Sequence, residues 1–258
     1  MSFFAINGLS VIFDGLRAVS NVSLALGEGE IHGVIGPNGA GKTSLINAVS
    51  GLVPASGGTI TIGGRPFHTL PAHRRAAAGI GRTFQHAEIF ADQTVVANVM
   101  TGGFAHRRSS LFQDLLGTPG KTAAERETRR DAEKMLDAFG ILALRDAIAG
   151  DLPFGILKKI DLARALMIKP RVLMLDEPTS GMNDAEAQDV IGACRRIAAE
   201  LSVTLLVIEH NMKVIMGLAQ TIHVLDHGEK IAIGTPGQIQ RNPLVIEAYL
   251  GHGSAIHA

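Results

Sequence analysis

A single cysteine, a formal net charge of zero and the lack of any long apolar run each remove a class of protein from consideration. Cys194 alone closes no internal disulfide, and it falls on the apolar stripe Val190, Cys194, Ile197 and Leu201 of a predicted helix, as a small buried hydrophobe would. With 24 basic residues against 24 acidic ones, no charge excess points to nucleic acid. Apolar runs such as Val203–Ile208 have the length of a strand and fall far short of the roughly 20 residues that span a bilayer, so the chain is not expected to cross a membrane by itself. MSFFAINGLS at the start lacks a basic segment followed by an apolar one, so no secretory signal is read and a cytosolic location is expected. Internal repeats and low-complexity linkers are likewise missing.

What is there fits one elaborate soluble domain: 258 residues, 46% of them hydrophobic and 19% charged. Residues 3–35 alternate short β-rich runs with Gly and Asn turns, which predicts antiparallel strands first. The last run, 30–35, leads into a glycine-rich loop, and KTSLINAVSG after it has the apolar spacing of a helix closed by Gly51. A helical character follows. Thr122 and Glu125 are spaced as a capping box, and Ala132, Met135, Leu136 and Phe139 share one face, with a solvated charged face over 126–131. Strands are then predicted at 171–175, 203–208 and 221–225, with helices between them. The reading is an α/β fold with a mainly parallel P-loop core, an N-terminal antiparallel β subdomain and an inserted α-helical subdomain. Residues 1–85 and 163–235 would form the core, 86–162 the helical part and 236–258 a C-terminal tail.

GPNGAGKTS, comprising Gly36, Pro37, Asn38, Gly39, Ala40, Gly41, Lys42, Thr43 and Ser44, matches G-x-x-x-x-G-K-[ST] between a strand and a helix, the context the pattern requires. The glycines permit positive φ and let backbone N–H groups approach phosphate oxygens. Lys42 offers a charge to the terminal phosphates, Thr43 a hydroxyl to Mg²⁺, and the following helix its positive end. This loop alone fits a kinase, a GTPase or a transport ATPase. RVLMLDEPTSG narrows the choice: Asp176, ending a hydrophobic strand, is placed to hold Mg²⁺, and Glu177 beside it to orient and deprotonate a water, which is hydrolysis. His210 closes VTLLVIEH at the carboxyl edge of the predicted sheet, in reach of a third phosphate through an N–H donor. Gln85, at the boundary of core and helical insertion, reads by itself as well for surface as for function.

Taken in order, Phe13, GPNGAGKTS, Gln85, LPFG, VLMLDEP, SGMN and His210 resemble the ATP-binding-cassette ATPases over essentially the whole chain. That resemblance implies that Phe13 stacks on adenine and that Gln85 senses Mg²⁺ and the γ-phosphate. It makes Asp176 the Mg²⁺ acid, Glu177 the general base and His210 the switch histidine. It also implies that two cassettes close head to tail, each ATP lying between one P-loop and the partner's signature turn, here Leu152, Pro153, Phe154 and Gly155, with Ser180, Gly181, Met182 and Asn183 as the D-loop. GRTFQHAEIFADQTVVANV, the long segment 102–122 and GTPGQIQRNPLVIEAYLG resemble more narrowly the ATPase subunits of bacterial importers of branched-chain and other hydrophobic amino acids. Such a subunit would sit on the inner face of the cell membrane with a second ATPase, identical or different, two permease subunits and an extracytoplasmic solute-binding protein. A lipopolysaccharide-export ATPase shares the tail and stays open as an alternative. Leu111, Phe112, Leu115 and Leu116 form a helical face suited equally to a permease contact or to internal packing.

The signature turn departs from L-S-G-G-Q at Pro153, Phe154 and Ile156. The lost serine hydroxyl removes a hydrogen bond to a charged group worth about 1.5 to 3 kcal/mol, while Gly155, the helix N-terminus and nearby Lys158 and Lys159 remain. Asn183 replaces the usual Asp and, with Glu186, is spaced to cap the next helix. Two other classes stay open: a soluble cassette ATPase of translation or DNA repair, and a module that binds ATP without hydrolysing it.

Overall fold

The computed structural model describes residues 2–83, 88–103 and 119–251. Its first strands are β1 (Phe4–Phe13), β2 (Leu16–Leu26), β4 (Gly57–Ile62) and β5 (Arg65–Pro66), and they form one antiparallel sheet in the order β2-β1-β4-β5. Strands β3 (Ile31–Ile35), β6 (Ile80–Arg82), β7 (Val172–Asp176), β8 (Thr204–Ile208), β9 (Thr221–Asp226) and β10 (Glu229–Gly234) form a second, ordered β10-β9-β3-β8-β7-β6. All neighbours in it are parallel except β10, which folds back antiparallel on β9.

Alternation along these strands divides the core in two. Val34, Met174, Leu206 and Leu225 face the antiparallel sheet, and between the two sheets packs helix α1 (Lys42–Ser50) through Leu45, Ile46 and Val49. Ile35, Leu175, Val207 and Val224 face the opposite way, toward α3 (Val95–Thr101), α4 (Pro119–Ala138), α5 (Phe154–Leu166), α6 (Asp184–Leu201) and α7 (Met212–Leu218). A short helix α2 (Ala72–Ala77) precedes β6, and α8 (Pro236–Gln240) and α9 (Pro243–Gly251) close the described chain. Strands completely buried on both faces account for the apolar runs of β7 and β8, and β3 is buried throughout although it carries His32.

Several expectations shift in detail. The helix predicted from 122 begins at Pro119, so Thr122 lies within its first turn instead of capping it. Ala132, Leu136 and Phe139 are buried as expected. Leu201 is 48% exposed, because the helix stops there at left-handed Ser202 and the apolar stripe runs off its end. The segment holding Leu111, Phe112, Leu115 and Leu116 lies outside the described residues, as does Gln85.

Candidate functional site

Because β3, β8 and β7 run parallel, their carboxyl ends meet at one edge, with Val34 in register with Ile208 and Ile208 with Asp176. The loop leaving β3 therefore starts about 10 Å, two strand spacings, from Asp176. Its glycines are dictated by backbone geometry. A Cβ on Gly36 (φ 154°) would stand 2.1 Å from the Leu225 carbonyl oxygen, and one on Gly41 (φ 94°) 2.2 Å from that of Ala18. At Gly39 (φ 82°) there is room for a side chain, and the requirement is conformational alone. Lys42 is buried, and its Nζ donates to the carbonyls of Gly36 at 2.7 Å and Pro37 at 2.9 Å. Burial lowers its pKa against the opposing pull of Glu177 and Asp176, so the ammonium is within electrostatic reach of both acids. Helix α1 starts at this lysine with no side-chain cap, leaving its first N–H groups directed at the loop. At its far end Arg75 caps it, donating through a guanidinium nitrogen to Ala48 O at 2.6 Å and Val49 O at 2.9 Å.

Asp176 is 5% exposed, and its Oδ2 accepts from Arg82 at 3.0 Å. The other arm of that guanidinium donates to Asn47 Oδ1 at 2.6 Å, which ties the acid to α1. Burial raises the Asp176 pKa and the Arg82 charge opposes the rise. Glu177 holds a left-handed backbone (φ 48°), costly for a non-glycine residue, and its N–H donates to Ile208 O at 2.9 Å. That conformation turns its carboxylate out of the strand toward His210, whose Nδ1 lies 3.5 Å from Glu177 Oε1 with the imidazole 57% exposed. Below them Glu209 is fully buried; its Oε1 accepts from the Thr179 N–H at 3.0 Å and from the Thr179 hydroxyl, and so fixes the turn that follows the acid pair.

The turn expected to be the signature, 152–155, lies against the segment 180–186 of its own chain, which includes the expected D-loop. Pro153, at φ −57° and ψ 151°, is the N-cap of α5, so Phe154 and Gly155 occupy the first helical turn. Phe154 packs on left-handed Gly181, where an added Cβ would stand 3.1 Å from the ring. Gly155 faces Glu186, which completes a capping box with Asn183 through bonds of 3.0 and 3.1 Å. Lys158 is 2% exposed, with Nζ 5.7 Å from the Phe154 ring centroid. Burial lowers its pKa while Asp161, Glu177, Glu209 and Asp176 attract the charged form. Phe13 stands apart at the tip of the β1–β2 hairpin, 42% exposed; the same hairpin reaches the loop through Ala18.

Arg82 and Glu209 escaped the sequence reading, and Lys158 entered it as a local charge and not as a buried group. Each borders or interrupts an apolar run, and that is the available signal for a buried charge with a partner. A cleft of about 680 Å³ opens between α5 and residues 88–90, lined by Arg82, exposed Phe90, Asp161 and Arg164. Arg164 donates to the Glu88 carbonyl and to Asp161, and Asn98 binds the backbone of Phe90 through both amide atoms, so this wall is organised by polar side chains.

A parallel sheet that opens into a glycine-rich loop, with an acid pair two strands away, defines a P-loop nucleoside triphosphatase, and the added antiparallel sheet and helical arm make it an ATP-binding cassette. The ABC transporter family matches residues 19–180, and the chain belongs to it as one of its ATPases. A second family, described as branched-chain amino acid ATP-binding cassette transporter, matches residues 229–255. The high-affinity branched-chain amino acid transport ATP-binding protein LivG of Salmonella typhimurium is 40% identical over 247 residues, covering 96% of this chain and 97% of LivG. The lipopolysaccharide export system ATP-binding protein LptB of Haemophilus influenzae is 32% identical, covering 97% and 98%. A solved ATP-binding cassette of an ABC transporter in its ADP conformation superposes with a TM-score of 0.84 at 26% identity, covering 97% of this chain and 99% of that one.

Proposed function

We propose that the chain is the ATP-hydrolysing subunit of an importer for branched-chain or related amino acids. The observation that carries the hydrolytic part is the convergence, at one sheet edge, of the phosphate loop, Asp176, Glu177 and His210. The identity to LivG and the match of residues 229–255 support the importer over the export ATPase. In this reading the N–H groups of 36–44 cradle the phosphates, and Lys42 exchanges its two loop carbonyls for phosphate oxygens. Glu177, already turned outward, takes the proton from the attacking water, and His210 beside it donates toward the phosphate that leaves. The Thr43 hydroxyl and the buried Asp176 carboxylate are hard oxygen donors of the kind that suit Mg²⁺, with Gln85 as a further donor, and the ion would supply charge neutralisation at the phosphates. Phe13 stacks on adenine.

The signature turn at 152–155 and the D-loop at 180–183 act on ATP held by a second ATPase subunit. Among the described residues no helix is long and apolar enough to cross a membrane, so transport draws on membrane-spanning partner subunits, with this chain on the cytoplasmic face. The cleft beside Phe90 offers them an apolar surface joined directly to the signature helix, and an extracytoplasmic binding protein delivers the solute. Detergent extraction and pull-down with this chain should recover a second ATPase and two permease subunits, and deletion should abolish uptake of labelled leucine. Recovery of ribosomes instead, with leucine uptake intact, sinks the transport reading.

A further inference from the structure

The proposed nucleotide site draws on two sheets. Phe13, the adenine platform, sits on the β1–β2 hairpin of the antiparallel sheet, whereas residues 36–44 leave β3 of the parallel one. A ligand that spans both halves binds with full strength only where their separation is set beforehand. Among the described residues, a hydrogen-bonded connection between the halves runs through a third element, the turn between β9 and β10, at Gly228. The Gly228 N–H, in the peptide shared with His227, donates to Ala40 O of the phosphate loop at 3.2 Å. The Gly228 carbonyl, in the next peptide, accepts from the Ser20 N–H of β2 at 2.8 Å. These two peptides are held at a fixed angle, because Asp226 pairs with Glu229 across a two-residue turn whose members are both left-handed, His227 at φ 44° and Gly228 at φ 80°. Strand β10 is fastened to β2 a second time, where Lys230 Nζ donates to Ser23 O. No step of the hydrolytic reading uses this turn.

We infer that Gly228 is a positioning residue for nucleotide binding, which sets the separation between the adenine platform and the phosphate loop. The steric frame there is as tight as the hydrogen bonds. A Cβ on Gly228 would stand 2.9 Å from Ala18 O and 3.2 Å from Arg17 O, both backbone atoms of β2. One on Gly41 would meet the same Ala18 carbonyl at 2.2 Å and the Gly228 Cα at 3.4 Å. Ala18, Gly41 and Gly228 therefore meet backbone to backbone, with no side chain between them. A side chain at 228 drives β2 away from the turn, and the Ser20 bond and the hairpin that carries Phe13 shift with it. Widening of this kind weakens a ligand that uses both halves and spares one that uses a single half. The coupling is reciprocal: a nucleotide held at both ends draws the hairpin and the loop onto the turn. This inference rests on reading 36–44 as the phosphate loop and Phe13 as the adenine platform.

Calorimetric titration of the full chain with MgADP, which avoids turnover, tests the role as a double-mutant cycle. Gly228→Ala should weaken MgADP binding about five- to tenfold, the worth of one hydrogen bond. In a Phe13→Ala background the same substitution should cost below about twofold, since no platform is left to be misplaced. An undiminished loss in that background, or wild-type affinity in Gly228→Ala itself, assigns the turn to folding and overturns the inference. Amide hydrogen exchange of the wild-type chain tests the same point without any variant that has to fold. Saturating MgADP should slow exchange at both Ser20 and Gly228 by about threefold or more, and unchanged exchange at either one overturns the inference. Phe13→Ala alone separates the two levels: if it binds MgADP as the wild type does, the adenine reading fails, whereas weakened binding with additive losses removes only the role of the turn.

Discussion

At the carboxyl edge of the parallel sheet Lys42, Lys158, Asp176 and Glu209 are buried, whereas at the amino end of β3 the buried titratable groups are His32 and His223. The first set is held by partners: Asp176 by Arg82, Glu209 by Thr179, Lys42 by loop carbonyls. Among the histidines the solution is neutrality. Glu30 Oε2 accepts from His32 Nε2 at 2.8 Å, which leaves His32 Nδ1 to accept from His223 Nε2 at 3.0 Å, and the two rings stack 5.2 Å apart. Burial, aided by His32 and Lys230, pushes the His223 pKa down to about 3. One end of the sheet buries acids and lysines among polar partners and the other buries a neutral histidine pair, so the two ends answer differently to mutation and to pH.

The largest effect belongs to the carboxyl edge. Glu177→Gln keeps the shape and removes the base, and ATP turnover in a steady-state phosphate-release assay should fall by about 10² to 10⁴-fold, with nucleotide binding retained and the dimer trapped. Turnover near the wild-type rate would move the general base to another residue and dissolve the functional half of the comparison. Arg82→Met comes next. It leaves the Asp176 carboxylate buried without its guanidinium and unties Asn47, and breaking such a pair costs about 3 kcal/mol. Urea unfolding at pH 7 measures it, and a loss below about 1 kcal/mol shows that Asp176 does not depend on Arg82.

The histidine end should respond to acid. Unfolded, His223 titrates near 6.5; folded, near 3. Between these values the unfolded chain binds the extra proton, so the contribution is fully present above pH 6.5 and is lost as pH falls toward 3. At pH 5 the loss is about 2 kcal/mol for this group. His223→Gln keeps a donor for His32 Nδ1 and does not titrate; comparing urea midpoints at pH 7 and pH 5 should show a flatter pH response than in the wild type. Equal slopes would place the proton uptake elsewhere.

These contrasts also explain what the sequence could reveal. The phosphate loop was legible because its requirements are local: Gly36 and Gly41 are forced by positive φ and by carbonyls about 2 Å from any Cβ, and such constraints leave a fixed spacing. Asp176, Glu177 and His210 were legible because parallel strands put their carboxyl ends at one edge, so position in a strand is position in the site. The capping box Asn183–Glu186, the buried face of α4 and the two-sheet layout followed from periodicity and spacing in the same way. Arg82 and Glu209 were not legible, since each acquires its meaning from a partner far away in the chain, as Arg82 does from Asp176 and Glu209 from Thr179. The Glu30–His32–His223 chain is of this kind too: Glu30 and His32 are neighbours, but the partner that makes them a buried network is 191 residues away.

The smallest effect tests the signature turn against the phosphate loop. Gly155 has no positive φ, and a Cβ there would stand 3.2 Å from Glu186 Oε1, the end of a flexible side chain, whereas at Gly41 it would meet backbone at 2.2 Å. Gly155→Ala should therefore cost below about 1 kcal/mol, since Glu186 can shift by a few tenths of an ångström, whereas Gly41→Ala forces the loop from Ala18 and costs about 1 to 3 kcal/mol. Thermal melting of the two variants side by side measures the difference. If Gly155→Ala leaves stability intact and yet slows turnover in the assembled dimer, the glycine serves the approach of the partner's nucleotide. That outcome would explain why the turn accommodates Pro153 and Phe154 beside it: what the contact needs at 155 is the absence of a side chain, and the N-terminus of α5 supplies the rest.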